Sequence, residues 1–255
     1  MDFKGQVVLV TGAGRGIGAA IARAFAAHGA AVAVNFLSDD VSAQAVAQDC
    51  RSAGGDGLAL QADVTDPTAA AKLVETVVAE LGRLDVVVNN AFAPYAFDPE
   101  QRKRLTELTW SDYQAQFEGA VGAAHHVCRA ALPHLARRAR GAIVNVASNL
   151  VEHPVVPYHD YTTAKSALVG FSRSLAAELG PLGVRVNCVA PGLVYPTQAS
   201  ASTRASFRDT IAAATPLRRL ARPEDVAGPV LFLASEHSAF MTGQVLLVDG
   251  GLVMR

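Results

Sequence analysis

The sequence predicts a doubly wound α/β domain, a seven-stranded parallel sheet with helices on both faces. Several short runs are apolar at nearly every position, which implies strands covered on both sides. They alternate from end to end with longer Ala-rich stretches, a residue favoured in helices. No linker, repeat or charge block divides the chain, so the βαβ units read as one domain spanning residues 1–255.

Gln6–Thr11 is the first predicted strand, and a glycine-rich turn leads from it into a helix over Gly16–His28. Ala31–Phe36 and Gly57–Ala62 are strands two and three, separated by a helix over Asp40–Ala53. Asp66-Pro67 opens a helix to Leu81, with proline where its missing N–H costs least. Val86–Asn89 and Ala142–Ala147 are strands four and five, with one long helix, Ser111–Arg138, between them. Tyr158–Leu179 is a second long helix, and strands Arg185–Ala190 and Gln244–Val248 complete the sheet.

Of the 255 residues 51% are hydrophobic and 18% charged, enough apolar surface to exclude a disordered chain. Lys and Arg number 22 against 23 Asp and Glu, so there is no basic footprint for a nucleic acid. Cys50, Cys128 and Cys188 lie far apart, in neither a metal-ligand spacing nor a secreted disulfide framework, which fits a reducing cytosol. The start, Met1-Asp2-Phe3-Lys4-Gly5, carries no apolar signal region. No run reaches the ~18 apolar residues of a membrane helix. A soluble cytoplasmic protein is the expectation.

Thr11-Gly12-Ala13-Gly14-Arg15-Gly16-Ile17-Gly18 stands at the joint of the first strand and first helix. Glycines there permit a tight turn and let backbone N–H groups and the helix N-terminus approach a pyrophosphate. The spacing follows T-G-x-x-x-G-x-G through Gly12, Gly16 and Gly18, not G-x-G-x-x-G. A lone glycine loop also reads as a flexible turn, but this density at the first βα joint favours dinucleotide binding. Asp63-Val64 after strand three and Asn89-Asn90-Ala91 ending strand four fall at the same carboxyl edge of the sheet. Asp63 alone reads equally as a helix cap or turn residue. Strand two ends Val34-Asn35-Phe36-Leu37-Ser38, with no carboxylate before Asp39 and Asp40 to hold a ribose 2′-hydroxyl. Arg15 would pair with a 2′-phosphate, its alternative being a solvated loop cation. The balance favours NADP(H), with NAD(H) as the other option.

Tyr161 and Lys165 stand at i and i+4 on one helix face. A free phenol with a pKa of ~10 is a poor base at neutral pH. A nearby ammonium favours the phenolate and lowers that value. Alone, such a pair reads as surface or packing. Ser148 ends strand five and reaches the same edge, offering a hydroxyl to a carbonyl or alcohol oxygen. Tyr158 is a rival, but Thr162 stands four residues beyond it.

Thr11–Gly18, Asn89-Asn90-Ala91, Ser148, Tyr161-x-x-x-Lys165, Pro191-Gly192 and Val248-Asp249-Gly250-Gly251 occur in the order and spacing of the short-chain dehydrogenase/reductase family. The chain resembles that family along essentially its whole length. The resemblance implies a Rossmann domain, an NAD(P)(H) cofactor and interconversion of an alcohol and a carbonyl. It implies that Tyr161 gives or takes the proton and that Ser148 orients the substrate oxygen. Lys165 would hold the nicotinamide ribose and depress the Tyr161 pKa. The implied cofactor contacts are Gly12, Gly14, Arg15, Gly16, Ile17, Gly18, Asn35, Asp63, Val64, Asn90, Ala91, Tyr161, Lys165, Pro191 and Gly192. Length and C-terminal segment are most similar to the branch named for 3-oxoacyl-carrier-protein reductases, which holds enzymes of many specificities. An acyl carrier protein is a candidate partner and a homotetramer the common assembly.

Three positions depart from the family pattern. Phe92 stands where a glycine is usual, Ala120 where an asparagine continues a proton relay, and Pro196 where a threonine is common, with Thr197 next. The missing asparagine supports a second reading, a catalytically silent dinucleotide-binding sensor or scaffold. His125, His126, His153 and His159 form no metal-ligand signature, so no metal is expected. His153 or His159 is a candidate pocket residue, and Trp110 is read as helix packing. Arg137-Arg138-Ala139-Arg140 reads as a solvated helix end favoured by the dipole, or as a patch for an acidic carrier.

Overall fold

The apolar runs form the expected sheet in the computed structural model, which describes residues 1–137 and 140–254. Among these residues seven strands occur: β1 (Val7–Val10), β2 (Ala31–Phe36), β3 (Asp56–Gln61), β4 (Val86–Asn89), β5 (Ala142–Val146), β6 (Arg185–Pro191) and β7 (Val245–Val248). They lie in the order β3-β2-β1-β4-β5-β6-β7, every neighbouring pair parallel. The chain runs outward from β1 to β3 and then returns to β4 on the other side of β1. Loops leaving β1 and β4 therefore part from one another, and a crevice opens at their carboxyl ends.

The helices are α1 (Gly16–Ala27), α2 (Asp40–Ser52), α3 (Pro67–Leu81), α4 (Trp110–Phe117), α5 (Ala123–Ala136), α6 (His159–Leu179), α7 (Ala205–Ala214) and α8 (Pro223–Ala234). Successive strand residues face opposite sides. Val86 and Val88 enter the core beneath α1, α2 and α8, whereas Val87 enters the core beneath α3, α5 and the end of α6. Both faces are thus buried, which is why the strands read as continuous apolar runs.

Element ends differ from the sequence reading by a residue or two, and α7 and α8 are additional. Tyr158 caps α6 rather than belonging to it. The single helix expected over Ser111–Arg138 is divided by a π turn, Glu118–Gly122, between α4 and α5, and Arg138 and Ala139 lie outside the described residues. Gly119 lies in this turn against the loop after β4, so close that a Cβ would land on the backbone of Ala93. Single π turns inside helices recur at functional sites. No helix among the described residues is long and apolar enough to cross a membrane.

Candidate active site

The glycine loop turns from β1 over the carboxyl edge of the sheet. Gly12 has φ +61° and Gly16 φ +55°, the left-handed region where glycine is unhindered. The Gly12 peptide is clamped from two sides: its N–H donates to Asn35 Oδ1 (3.3 Å) and its carbonyl accepts from Asn90 Nδ2 (3.1 Å). A Cβ on Gly18 would stand 2.5 Å from the Gly12 carbonyl oxygen, whereas one on Gly14 would meet only Ala43, at 3.6 Å. Among the described residues Arg15 makes no side-chain cap at the start of α1, and the first turn holds no acidic residue. Its N–H groups are left for an anion. This cradle fits the pyrophosphate of a dinucleotide, with Gly12, Gly14, Arg15, Gly16, Ile17 and Gly18 as the residues that would hold it.

The side chains of Asn35 and Asn90 are buried, and their Nδ2 groups bond the protein's own backbone. Asn35 Nδ2 donates to Leu60 O (3.3 Å) and Ala62 O (3.1 Å), tying the loop to the end of β3. Asn90 Nδ2 also donates to Thr11 O (2.9 Å), and Thr11 Oγ1 accepts from the N–H groups of Asn90 and Ala91 (3.0 Å each). Asp63 acts as the turn residue of its alternative reading, with Oδ1 accepting from Thr65 N (2.9 Å) and Thr65 Oγ1 (2.6 Å). Val64 beside it is buried, its carbonyl 3.4 Å from His126 Nδ1. Arg15 is exposed. Asp39 caps α2 by accepting from Ser42 N (3.1 Å); its bonds to Ser42, and secondarily the Arg15 charge, hold its carboxyl below the usual range.

At the next joint Ser148, Tyr161 and Lys165 are all buried. Ser148 stands two residues beyond β5, its hydroxyl accepting from Leu150 N (3.3 Å), and it lies near enough to the Tyr161 phenol of α6 to act on its acidity. One turn on, Lys165 Nζ donates to Val146 O (2.7 Å) and lies 5.8 Å from the centre of the Tyr161 ring. Burial pushes the Tyr161 phenol up to about 12, opposed by Ser148, and pushes Lys165 down to about 8. Loss of hydration dominates both groups, and the Lys165 ammonium is bonded to a main-chain carbonyl.

The loop after β4 surrounds Tyr161 with rings that the sequence reading did not bring together. Tyr95 and Phe97 each have centroids 5.1 Å from it, and Phe92 6.2 Å. Lys165 Nζ also lies 5.2 Å over the Phe92 ring, a cation–π contact. Tyr95 Oη donates to Asp160 Oδ1 (2.9 Å), and Tyr158 packs edge-on against Tyr95 and Phe97. Phe97 is held in turn by the loop after β6: its N–H donates to Ala199 O (2.8 Å) and its carbonyl accepts from Thr203 Oγ1 (2.6 Å). The available signal was three aromatic residues in six, Phe92 to Phe97, inside a predicted loop.

Pro191 ends β6, and Gly192 then passes Asp249 so closely that a Cβ would stand 2.9 Å from Asp249 Cβ. Asn149 Nδ2 donates to Asp249 Oδ2 (3.1 Å), fixing this C-terminal turn. Thr197 approaches the glycine loop, its methyl carbon 3.8 Å from where a Gly16 Cβ would stand. Ala120 is buried in the π turn. His153 is exposed and borders a surface groove with Glu152, Leu252, Val253 and Met254. Trp110 is exposed and stacks on Tyr113, not on the core, which corrects its reading as packing.

The comparisons agree with this arrangement. A family model described as Enoyl-(Acyl carrier protein) reductase matches residues 12–253. A cis-4-hydroxycyclohexanecarboxylate dehydrogenase of Sinomonas cyclohexanicum is 39% identical, over 98% of this chain and 97% of its own. The 3-oxoacyl-[acyl-carrier-protein] reductase FabG of Escherichia coli (strain K12) is 35% identical over 100% of both chains. The chain belongs to the short-chain dehydrogenase/reductase family. A solved 7α-hydroxysteroid dehydrogenase, complexed with NADH and 7-oxo glycochenodeoxycholic acid, matches this short-chain dehydrogenase/reductase with a TM-score of 0.90. Identity to it is 29%, over 100% of this chain and 96% of that one. Membership makes the protein a nicotinamide-dependent oxidoreductase acting on a CH–OH group.

Proposed function

We propose that this enzyme is an NADP(H)-preferring oxidoreductase interconverting a ketone and a secondary alcohol, with 3-oxoacyl thioester reduction as one sub-case. The observation that carries the reading is the burial of Ser148, Tyr161 and Lys165 at one edge of the sheet, with Lys165 Nζ 5.8 Å from the centre of the Tyr161 ring. When bound, the nicotinamide supplies a hydride to the carbonyl carbon or takes one from the carbinol carbon. Tyr161 Oη gives its proton to the nascent alkoxide in reduction and recovers one in oxidation. Ser148 hydrogen-bonds the same substrate oxygen and fixes it beside the phenol. Lys165 has one of its three N–H donors on Val146 O, which leaves two for ribose hydroxyls. Asp63, Val64, Ala91, Pro191 and Gly192, all at the carboxyl edge, would border the cofactor.

Arg15 supports the choice of NADP(H): its guanidinium is exposed, while Asp39, the first carboxylate after β2, is engaged in capping α2. The 35%-identical reductase supports an acyl carrier protein as a candidate partner in the thioester sub-case. The exposed Trp110–Tyr113 stack on α4 supports a homotetramer. A screen of β-ketoacyl thioesters, simple ketones and sugars with both cofactors tests the reading. Turnover is expected, with kcat/KM higher for NADPH than for NADH. Equal or better efficiency with NADH refutes the cofactor choice, and NADPH binding without turnover of any carbonyl refutes the reaction.

A further inference from the structure

We propose that the substrate oxygen is carried on a compact carbocyclic or aromatic ring, and that the Phe92–Tyr95–Phe97 wall beside Tyr161 selects it. The proposal rests on the oxidoreductase reading above and narrows its substrate class. Three rings have centroids within 5.1–6.2 Å of the Tyr161 ring, inclined to it by 33° to 84°. Tyr95, Phe97, Tyr158 and Tyr161 form, with Val156, Leu150 and Phe207, a cluster separate from the two cores under the sheet. It is apolar packing placed against the Tyr161 ring, not packing that holds the sheet.

The wall is braced. Asp160 holds Tyr95 by its hydroxyl, and Ala199 and Thr203 hold both backbone polar groups of Phe97. Phe92 keeps 37% of its surface open, so an apolar face remains to meet a ligand that reaches Ser148 and Tyr161. Aromatic faces and edges attract another ring beyond the area they cover. A rigid ring also surrenders no rotamers on binding, whereas an acyl chain loses freedom at each immobilised bond. Of the cations on the flanking segments, Arg204 pairs with Glu100, Lys103 with Asp112, and Arg208 lies over the Tyr195 ring, while Arg102 is near enough to Tyr158 to act on its hydroxyl. Recognition here is by ring shape more than by charge.

The test compares kcat/KM for cyclohexanone, 4-methylcyclohexanone and α-tetralone with that for 2-hexanone, 2-octanone and an acetoacetyl thioester, both nicotinamide cofactors being supplied. The cyclic ketones should be favoured about tenfold or more, ~1.4 kcal/mol. Phe92→Leu and Phe97→Leu should each lower the ring-to-chain ratio several-fold, with cofactor affinity held within a few-fold. A general loss of activity cancels in that ratio. If Phe97→Leu does not fold, Phe92→Leu carries the test, because that side chain is partly open to solvent. Equal or greater efficiency on the open-chain compounds overturns the ring preference and leaves the oxidoreductase reading standing. Turnover of no ketone of either shape overturns both.

Discussion

Replacing Gly18 by alanine tests the cradle with one methyl group. The new Cβ would stand 2.5 Å from the Gly12 carbonyl oxygen, 2.6 Å from Asn90 Nδ2 and 2.9 Å from Ala13 Cα. A relaxed carbon contact is ~3.5–4.0 Å, so the loop must retreat. The atoms that must move are those clamping Gly12, at risk of losing the bonds to Asn90 and Asn35. Overpacking costs ~1–3 kcal/mol and a lost hydrogen bond ~0.5–1.5 kcal/mol, against up to ~1 kcal/mol gained by alanine in a helix. The net is roughly 1–3 kcal/mol. At ~2–4 °C per kcal/mol for a chain of this size, the Tm should fall by roughly 2–12 °C. NADPH affinity should weaken about tenfold or more for a distortion of this size. Gly14→Ala is the control, since its methyl would meet Ala43 Cβ at an ordinary 3.6 Å, and its Tm should stay close to wild type. Melting curves and NADPH titration read both variants. Equal Tm values for the two would refute the steric reasoning, and lost stability with unchanged affinity would show that the cradle does not hold the cofactor.

Tyr161→Phe keeps the ring but removes the proton, so turnover should drop by ~10²–10⁴ with cofactor affinity nearly unchanged, whereas Tyr158→Phe does much less. Equal losses in steady-state kinetics would mean that the wrong tyrosine has been assigned. Arg15→Ala should raise KM for NADP(H) roughly tenfold or more and leave NAD(H) nearly unaltered, read by paired kinetics with the two cofactors. Burial also makes the alkaline limb of stability informative. Lys165 sits at about 8 in the folded protein against an ordinary 10.5, so across that window the unfolded chain holds a proton the folded one has lost, and this residue's contribution rises with pH. Cys50 and Cys128, pushed up by burial to about 11 and about 12, work in the opposite sense above pH ~9. The useful measurement is therefore the Tm of wild type minus that of Lys165→Met, which should rise from pH 8 to 10.5; a flat difference refutes the assignment.

Much of the fold was legible because parallel strands buried on both faces leave a mark that needs no partner to interpret. Val86, Val87 and Val88 are apolar in succession because they feed two different cores. The glycines at 12, 16 and 18 were equally legible, since sterics at a strand-to-helix joint narrow the choice of residue. Asn35 was harder. The resemblance placed it among the cofactor contacts, yet nothing in the sequence says that Leu60 and Ala62 carry carbonyls bonded by its amide. The break in the long helix was missed for a similar reason: Gly119 makes sense only beside Ala93, in a loop remote in sequence.

The pairing of Tyr161 with Lys165 marks a deeper limit of spacing arguments. Helical geometry puts the two residues on one face, and from charge alone the ammonium should favour the phenolate. Spacing does not convey how much water the fold removes. Here Phe92, Tyr95 and Phe97 lie around the phenol, and Lys165 meets a Phe92 face and the Val146 carbonyl. Desolvation acts on the two groups in opposite directions, raising the acid and lowering the amine, and among the residues packed on them are those of 92–97, some seventy positions away in the chain. The same aromatic loop that hides the proton donor from water also supplies the wall a substrate would meet. Its composition therefore acts on both the acidity of Tyr161 and the shape of ligand it serves, and substitutions at Phe92 should move the two together.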